Sequence, residues 1–262
     1  MSNLLILSPL PIESGDITTS SQALNFPIDH LRDPQPKVIW KAATSGQVDI
    51  DIDLKSNTTF DTAFLGHTNA DATATWEIRV ATASQGAAYL GNGASILKSQ
   101  SLLRADQSTD APRPHGFWTG ASTSARYIRI RINHANAPIE AGTLAIGQSF
   151  RPRYNYDWGA GRSLTDLSTT RTLRGGQMDV SQDAIIPNWR FVLGNLDDTE
   201  LGTLWKITKK HGKSAPLLII EDPDTPFDLQ EAIHYGSFRD INAYERRNAS
   251  KNRWEFTIQH WQ

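Results

Sequence analysis

The segment Asn188–Asp224, NWRFVLGNLDDTELGTLWKITKKHGKSAPLLIIEDPD, is where the local sequence signals agree best. Trp189, Phe191 and Leu193 recur at every second position, and this period predicts a strand with one apolar face. The run LLII, which ends at Ile220, is continuous and apolar, as expected of a buried strand. The segment therefore predicts two strands of a sheet with a connection between them.

The connection is predicted to be a helix. Asp197 or Asp198 can accept the free amide hydrogens of its first turn, and Glu200 is placed as in a capping box. Gly212 is the predicted C-cap. The side chains on its apolar face are Leu201, Leu204, Trp205 and Thr208. This stripe is too short for a helical bundle, so we expect the helix to pack against the sheet.

Composition limits the number of domains and the classes of function that are consistent with this sequence. The chain has 262 residues, enough for two domains with separate cores, and we predict a boundary near Phe150 that gives domains 1–150 and 151–262. A net charge of -2 argues against a protein that binds nucleic acid or anionic membranes by charge. The sequence has no cysteine, so disulfides, thiolate metal sites and a cysteine nucleophile are excluded.

The N-terminal stretch MSNLLILSPLPIESGD lacks the basic region and cleavage site of a signal peptide. We expect a first strand at Leu4 to Leu7 instead. The sequence contains no apolar run of the length that a membrane span requires.

The first half is predicted to be a β-sandwich, because short alternating segments are separated by turn-forming residues. In VDIDIDL, the apolar side chains from Val48 to Leu54 point one way and three aspartates point the other. ARYIRIRI alternates in the same manner. Further strands are predicted at Phe60 to Leu65, at Thr75 to Val80 and through Leu144 and Ile146. Long loops, with one short strand near Ala94 to Leu97, are expected between Ser84 and Pro114.

The second half is predicted to be rich in β-strands, with the helix packed against them. A hairpin is expected around Gly175 and Gly176. The segments AIHYGSFRDINAYERR and RWEFTIQHW are predicted to be closing strands, the last with Trp254, Phe256 and Ile258 facing inward.

The first half resembles discoidin-like, galactose-binding β-sandwich domains. The segments that carry the resemblance are NFPIDHLRDPQPKVIWKA, QVDIDIDL and ARYIRIRI. The second half resembles the hub domain of phage tail proteins, particularly distal tail and tail-tip proteins, in the order of its NWRF strand, LW-bearing helix, PLLII strand and YG-containing strand. Asn188 stands where that family more often has a charged residue.

These resemblances imply a galactose-binding-like β-sandwich followed by a hub-like domain. Proteins of the tail family assemble into rings that extend the tail tube and carry peripheral domains. The resemblance thus implies a non-enzymatic virion protein, made in the bacterial host cytoplasm. It would form a trimeric or hexameric ring and contact tail-tube and tail-tip proteins, without a cofactor. The alternative is a carbohydrate-binding protein that recognises glycans of the host surface, and a weaker alternative is a secreted glycan hydrolase.

Several carboxylates are candidates for a metal site or for catalysis. Asp49, Asp51 and Asp53 lie on one strand face and offer oxygen ligands for calcium, but positions i, i+2 and i+4 spread over roughly 13 Å, so a solvated face is expected. The loop segment 221–224 has three acids that offer a glycosidase pair. Turn chemistry explains them equally well.

The arginines allow two interpretations. Arg126, Arg129 and Arg131, beside Tyr127, suggest a basic and aromatic strip for nucleic acid, whereas a nearly neutral chain argues against a duplex-binding protein. Arginine and aromatic residues are also enriched at protein interfaces. We therefore predict a subunit interface at Arg151, Arg153, Tyr154, Tyr156, Trp158 and Arg162.

A sugar site would need an exposed aromatic ring beside polar groups. His115 and Trp118, placed in the loop before ARYIRIRI, are the candidate ligand-binding residues. Trp118 fits a core position equally well. Trp40 and Trp76 follow strand patterns and are expected in the core. His67 and His115 lack a second histidine at ligand spacing, so we predict no metal site.

Overall fold

The computed structural model describes residues 3–104, 113–224 and 229–261, and the chain divides into two compact units. The first unit comprises Met1–Phe150 with Ile220–Ile233, and the second comprises Arg151–Ile219 with His234–Gln262. The described residues contain many strands and one α-helix, which confirms the predicted mainly β fold class. Residues 220–233 belong to the first unit although they lie far beyond Phe150 in the sequence.

Ten strands form the framework of the first unit. They are β1 (Leu5–Leu7), β2 (Ile17–Thr19), β3 (Trp40–Lys41), β4 (Gly46–Gly66), β5 (Thr75–Ala81), β6 (Ile96–Ser101), β7 (Gly116–His134), β8 (Glu140–Ala141), β9 (Thr143–Gly147) and β10 (Ser149–Phe150). The main sheet has the order β2-β4-β7-β5-β6, with β9 also paired to β4. The β3–β8 and β1–β10 pairs are antiparallel.

The core of the first unit lies on the inner face of this main sheet. Val48, Ile50 and Ile52 of β4 are buried there beside Ile128, Ile130 and Ile132 of β7. The opposite layer contributes buried side chains from the 3-10 helix Ile28–Arg32, from the β3–β8 pair and from the residue before β8. They are Ile28, Leu31, Trp40, Ala141 and Ile139. Two layers around one apolar core make this unit the predicted β-sandwich.

Strand β4 is longer than either of the two strands predicted in this segment. The segments VDIDIDL and Phe60 to Leu65 were expected to be two strands, yet they form one strand of 21 residues. The ladder between β4 and β7 shifts register between Asp53 and Thr58, where Lys55 has a φ of 64°. A bulge of this kind lets one chain bend and continue in the same sheet. The short strand expected near Ala94 to Leu97 is β6, which begins at Ile96.

The second unit contains eight strands and the helix. They are β11 (Gly161–Asp166), β12 (Thr169–Thr172), β13 (Met178–Ser181), β14 (Ile185–Leu196), α1 (Asp198–His211), β15 (Leu217–Ile220), β16 (Ile233–Ile241), β17 (Glu245–Arg246) and β18 (Asn252–His260). The sheet of this unit has the order β15-β16-β18-β14-β11, with β17 paired to β18. The end residues Ile220 and Ile233 are grouped with the first unit.

The inward faces of β14 and β18 meet residue against residue. Trp189 pairs with Ile258, Phe191 with Phe256, and Leu193 with Trp254. All six side chains are buried. The Trp189 ring stacks on Phe191 with centroids 4.3 Å apart, and Phe191 stacks on Phe256 at 5.4 Å. Stacked aromatic rings therefore form the centre of this core, as the alternating sequence pattern of both strands predicts.

Asn188 is also buried in this unit. Its side-chain amide donates to the Thr165 hydroxyl at 2.9 Å and to the Ile186 carbonyl at 3.2 Å. The side-chain NH2 group thus has two acceptors, and a neutral amide avoids the ionic partner that a buried charge would need.

Helix α1 begins with the predicted capping box. The Asp197 carboxylate accepts hydrogen bonds from the amides of Thr199 and Glu200, and the Glu200 carboxylate accepts one from the amide of Asp197. Leu204 and Thr208 are buried, as predicted, but Trp205 is 53% exposed. The Trp205 ring lies at the edge of the packed face, with its centroid 5.7 Å from that of Trp254.

Gly236 in β16 provides a test of the second unit's packing. A Cβ atom at this position would lie 1.9 Å from the backbone carbonyl oxygen of Gln259. We expect Gly236→Ala to lower the free energy of unfolding by about 2–4 kcal/mol, because backbone atoms cannot yield as a flexible side chain can.

The matched control is Gly202→Ala on helix α1, where an added Cβ meets open space. This change should stabilise the protein by about 0.5–1 kcal/mol through helix propensity. Urea unfolding of both variants measures the difference, and equal effects would contradict the packing described for β16.

Candidate functional site

Three aspartates and three arginines form an ionic ladder on the outer face of the first unit's main sheet. Arg129 donates from Nε to Asp51 Oδ1 at 2.6 Å and from Nη2 to Oδ2 at 2.7 Å. Arg131 makes the same bidentate contact with Asp49 at 2.7 and 2.9 Å. The third pair is Arg126 with Asp53, at 2.8 and 3.0 Å. We call these six side chains the Asp–Arg ladder.

The ladder pairs the row of aspartates on β4 with the row of arginines on β7, so that the two sets of charges neutralise each other. The Arg131 guanidinium holds the pKa of the Asp49 carboxyl below its usual range, and Arg126 does the same for Asp53. The Asp51 carboxylate in turn raises the pKa of Arg129. Because each carboxylate already has a bidentate cation, the row of aspartates is a poor calcium site. For the same reason the three arginines do not form a free basic strip.

The sequence pattern predicts an outward face for each row but does not show that the aspartates pair with the arginines. The signal was present, since opposite charges alternate with isoleucine in both strands. The register decides the pairing, because it sets Asp49 opposite Arg131 and Asp51 opposite Arg129.

A groove of about 230 Å³ crosses the ladder. Its floor consists of Asp51, Asp53, Tyr127 and Arg129, from β4 and β7. One wall includes Thr18 of β2, which lies opposite Asp51 in the sheet, and the other includes the 3-10 helix Ala87–Gly91. Fixed ionic pairs, a hydroxyl and an aromatic ring thus line one concave surface.

The two residues predicted to bind a ligand lie elsewhere in the first unit. Trp118 belongs to strand β7, not to a loop, and is only 6% exposed in the core. Stacking on a sugar needs an exposed ring face, which Trp118 does not present. His115 is half-buried, and its backbone amide donates to the Gln230 side chain at 2.8 Å. Its Nδ1 accepts from the backbone amide of His67 at 3.0 Å.

Most residues of the predicted interface are exposed in the second unit. These are Arg151, Arg153, Tyr154, Trp158 and Arg162. Tyr156 differs, because it is half-buried and its ring packs edge-on against Trp189 with centroids 5.4 Å apart. The Arg153 guanidinium lies 5.6 Å from the Tyr154 ring, and the Lys251 ammonium lies 5.0 Å from it. The subunit interface itself stays a prediction.

Residues 167–184 form a second feature of this unit, which we call the hairpin arm. Strands β12 and β13 pair with each other around the turn at Gly176, which has a φ of 79°, where the sequence predicted a hairpin. Apart from Ser168, every residue of the arm is exposed. Thr170 pairs with Val180 and Thr172 with Met178, so these four side chains share one face.

The described residues give little sign of other chemistry. Within ranges 3–104, 113–224 and 229–261, no group of three or more histidine or acidic side chains is arranged to hold a metal ion. In the segment 221–224, the Asp222 carboxylate accepts from the amide of Asp224 at 3.0 Å, as in a turn. Among the described residues, helix α1 is too short and too polar to cross a bilayer.

Several solved structures are similar to part of this chain. Chitosan-binding module 1 of a chitosanase/glucanase from Paenibacillus sp. IK-5 matches with 14% identity and a TM-score of 0.38, over 53% of this chain and 98% of that one. CBM32-3 of a family 31 glycoside hydrolase from Clostridium perfringens matches with 13% identity and a TM-score of 0.41, over 53% and 94%.

A Streptococcus pneumoniae fucose binding module matches with 10% identity and a TM-score of 0.39, over 54% of this chain and 95% of that one. At TM-scores of 0.41 and below, these similarities assign neither a family nor a ligand to this chain. No protein-family model matches the sequence, and no curated protein matches it.

His67 gives the first unit a predictable sensitivity to acid. Burial, assisted by the charge of Arg113, lowers the pKa of His67 from 6.5 to about 4. The folded state therefore binds fewer protons than the unfolded state in this range. We expect stability to be complete above pH 6.5 and to fall by on the order of 3 kcal/mol as the pH drops towards 4.

The variant His67→Asn checks this assignment. Asparagine tolerates the positive φ of 55° at this position but does not titrate, so the decline between pH 6.5 and 4 should become shallower. A remaining decline is expected from His211, because burial lowers its pKa as well. Urea unfolding across that range measures it. The depressed pKa of Asp49 acts separately, below 3.8. An unchanged slope in the variant would assign the acid sensitivity to another group.

Proposed function

We propose that this chain is a non-enzymatic structural subunit that assembles with copies of itself, as a distal tail or tail-tip protein of a long-tailed bacteriophage. The observation that carries the proposal is the exposed hairpin arm of the second unit. The ring is the assembly in which its apolar face is covered.

The arm lacks the packing that normally stabilises so small a sheet. An isolated two-stranded hairpin is marginal in water unless a hydrophobic face packs against another element. Met178 and Val180 are 69% and 58% exposed on one face. Contact of this face with another chain would remove both side chains from water and stabilise the arm.

The charges of the arm also allow it to contact a second copy of this chain. Within residues 167–184, Arg171 and Arg174 balance Asp179 and Asp183, which gives two charges of each sign. Arms from two subunits therefore meet without net repulsion. In addition, β11 is the last strand of the second unit's sheet in the described residues, so a neighbour can also cover that edge.

The order of motifs in the second half supports the choice of a tail protein over other oligomers. In the NWRF strand, the helix and the closing WEFTIQHW strand, the sequence resembles tail hub domains. The proposed partners are therefore further copies of this chain in a trimeric or hexameric ring and the adjoining tail-tube and tail-tip proteins. The proposed location is the virion, with synthesis in the bacterial host cytoplasm.

Light scattering over a range of concentrations, with negative-stain images of the same sample, tests assembly. We expect the mass of a trimer or hexamer and particles with a central hole, because a head-to-tail contact leaves no subunit with an uncovered arm once the ring closes. A monomer at every concentration would count against self-assembly through the arm.

The arm's role is tested by the double variant Met178→Asp with Val180→Asp. Two charges on the apolar face should shift the assembly to monomer, because burying unpaired carboxylates is costly. The control is Ser181→Asp, which adds a carboxylate to the opposite face of the same strand without a second new one across from it. The control should keep the assembled mass. Equal behaviour of the two variants would remove the arm's apolar face from the interface.

Carbohydrate recognition by the first unit is a second candidate function, and the groove on the Asp–Arg ladder favours it. The two functions are compatible within one chain, because the groove and the arm belong to different units. The structural role requires assembly into an oligomer, whereas glycan binding by the first unit does not.

A further inference from the structure

We infer that one surface of the second unit binds single-stranded nucleic acid through lysine side chains and an exposed tryptophan ring. The surface consists of Trp205, Lys206 and Lys209 of helix α1 and of Tyr244, which follows β16. We call it the basic aromatic surface. The inference goes beyond the structural role and the carbohydrate recognition proposed above, because neither of them assigns a function to these residues.

The two units carry opposite net charges. The first unit has 11 lysine and arginine residues and 18 aspartate and glutamate residues, whereas the second unit has 15 and 10. Their formal charges are therefore -7 and +5, although the net charge of the whole chain is -2. The argument that a nearly neutral chain does not bind nucleic acid by charge thus does not apply to the second unit.

The positive charge of the second unit is concentrated around the C-terminal half of helix α1. From Trp205 to Lys213 the sequence has four lysines and no acid, and the segment 244–247 adds two arginines and one glutamate. All four lysines are exposed. Lys206 and Lys209 form no ion pair with any residue that the structure describes. Their charges are therefore available to an anionic ligand.

Trp205 and the two lysines point to the same side of the helix. Lys209 lies four residues after Trp205, which places the two side chains next to each other. With 3.6 residues per turn, Trp205, Lys209 and Lys206 cover an arc of about 100°. Leu204 and Thr208 are buried on the opposite side of the helix. The ring and the two ammonium groups thus face solvent together.

The Trp205 ring is 53% exposed, yet other rings hold it in place. Its centroid lies 5.7 Å from that of Trp254, which is buried, and 6.0 Å from that of Tyr244, which meets it edge-on. Lysines at the end of a helix also suit the helix dipole, but the dipole does not account for an exposed tryptophan. A fixed aromatic ring beside cations can stack on a base while the cations contact phosphates.

A single strand matches this surface better than other anionic partners do. In a duplex the bases are stacked on one another, so their ring faces cannot contact Trp205 unless a base is unstacked. A membrane would require side chains that enter the lipid, whereas Trp205 packs against Trp254 and Tyr244. An acidic protein segment supplies carboxylates without a flat ring beside each charge. Every nucleotide of a single strand supplies both a charge and a ring.

Fluorescence anisotropy with the full chain and a labelled oligothymidylate of about 20 nucleotides tests binding. We expect a Kd of about 1–100 μM. The logarithm of the association constant should fall with the logarithm of the salt concentration, with a slope of about -1.4 to -2.8, since each of two to four lysine contacts contributes about -0.7. No binding at low salt would overturn the proposal.

A pair of lysine variants tests the charge. Lys206→Gln with Lys209→Gln should weaken binding by about tenfold or more at roughly 0.1 M salt and make the salt slope shallower by about 1.4. The matched control is Lys37→Gln with Lys98→Gln, which removes the same charge from exposed lysines of the first unit. The control should change the affinity less than about twofold. Equal losses in both double variants would contradict a site on helix α1.

Stacking is tested by Trp205→Leu and Trp205→Phe. Leucine keeps apolar bulk but has no aromatic ring, so Trp205→Leu should weaken binding of the single strand by about tenfold, whereas Trp205→Phe should stay within about threefold of the original affinity. Neither change should alter binding of a duplex of the same length. Urea unfolding of both variants shows whether the fold is equally stable. Equal losses in the leucine and phenylalanine variants would remove stacking from the proposal and overturn it.

Competition separates nucleic acid from the other anionic partners. Unlabelled oligothymidylate, vesicles of phosphatidylglycerol and poly-L-glutamate are each added to the complex at equal concentration of negative charge. We expect the oligonucleotide to displace the labelled strand most effectively, because only it supplies bases for Trp205. More effective displacement by the vesicles or by poly-L-glutamate would assign the surface to a lipid or to an acidic protein instead.

Discussion

The antiparallel pairing of β4 with β7 is the interaction on which the first unit depends. These two strands are 21 and 19 residues long and pair along most of their length. On the inner face, the pairing brings Ile50 against Ile130 and Ile52 against Ile128. On the outer face, the same register brings each aspartate of the ladder within hydrogen-bonding distance of an arginine. A slip of one residue would send isoleucine to solvent and aspartate to the core, so both faces specify the same register.

The ladder also decides which charges the outer face presents to solvent. A row of free aspartates would attract cations, and a row of free arginines would attract phosphates. Once paired, neither row acts as a net charge, while the hydrogen-bonding capacity remains on the surface. The groove on the ladder is therefore lined by acids that each have a cationic partner. The small net charge of the whole chain gives no hint of this arrangement, since it does not show how charges are distributed.

Side-chain packing is uneven within the second unit. Aromatic rings of β14 and β18 stack within a buried core, and the capping box fixes the start of helix α1. The hairpin arm extends from this rigid base with its apolar residues in solvent. The arm therefore lacks the packing that stabilises the core of the same unit, because its exposed side chains contact water and not another element.

The sequence by itself determined the local structure: the capping box at Asp197, the hairpin turn at Gly176 and the alternation that buries Trp189, Phe191 and Leu193. These features depend on residues close together in the chain, and their periodicity is visible without the fold. Tertiary structure alone decided that Asp51 meets Arg129, that Trp118 lies in the core and that residues 220–233 join the first unit. Each of these facts depends on segments that are distant in sequence, and the register and packing that join them are set only when the sheets form.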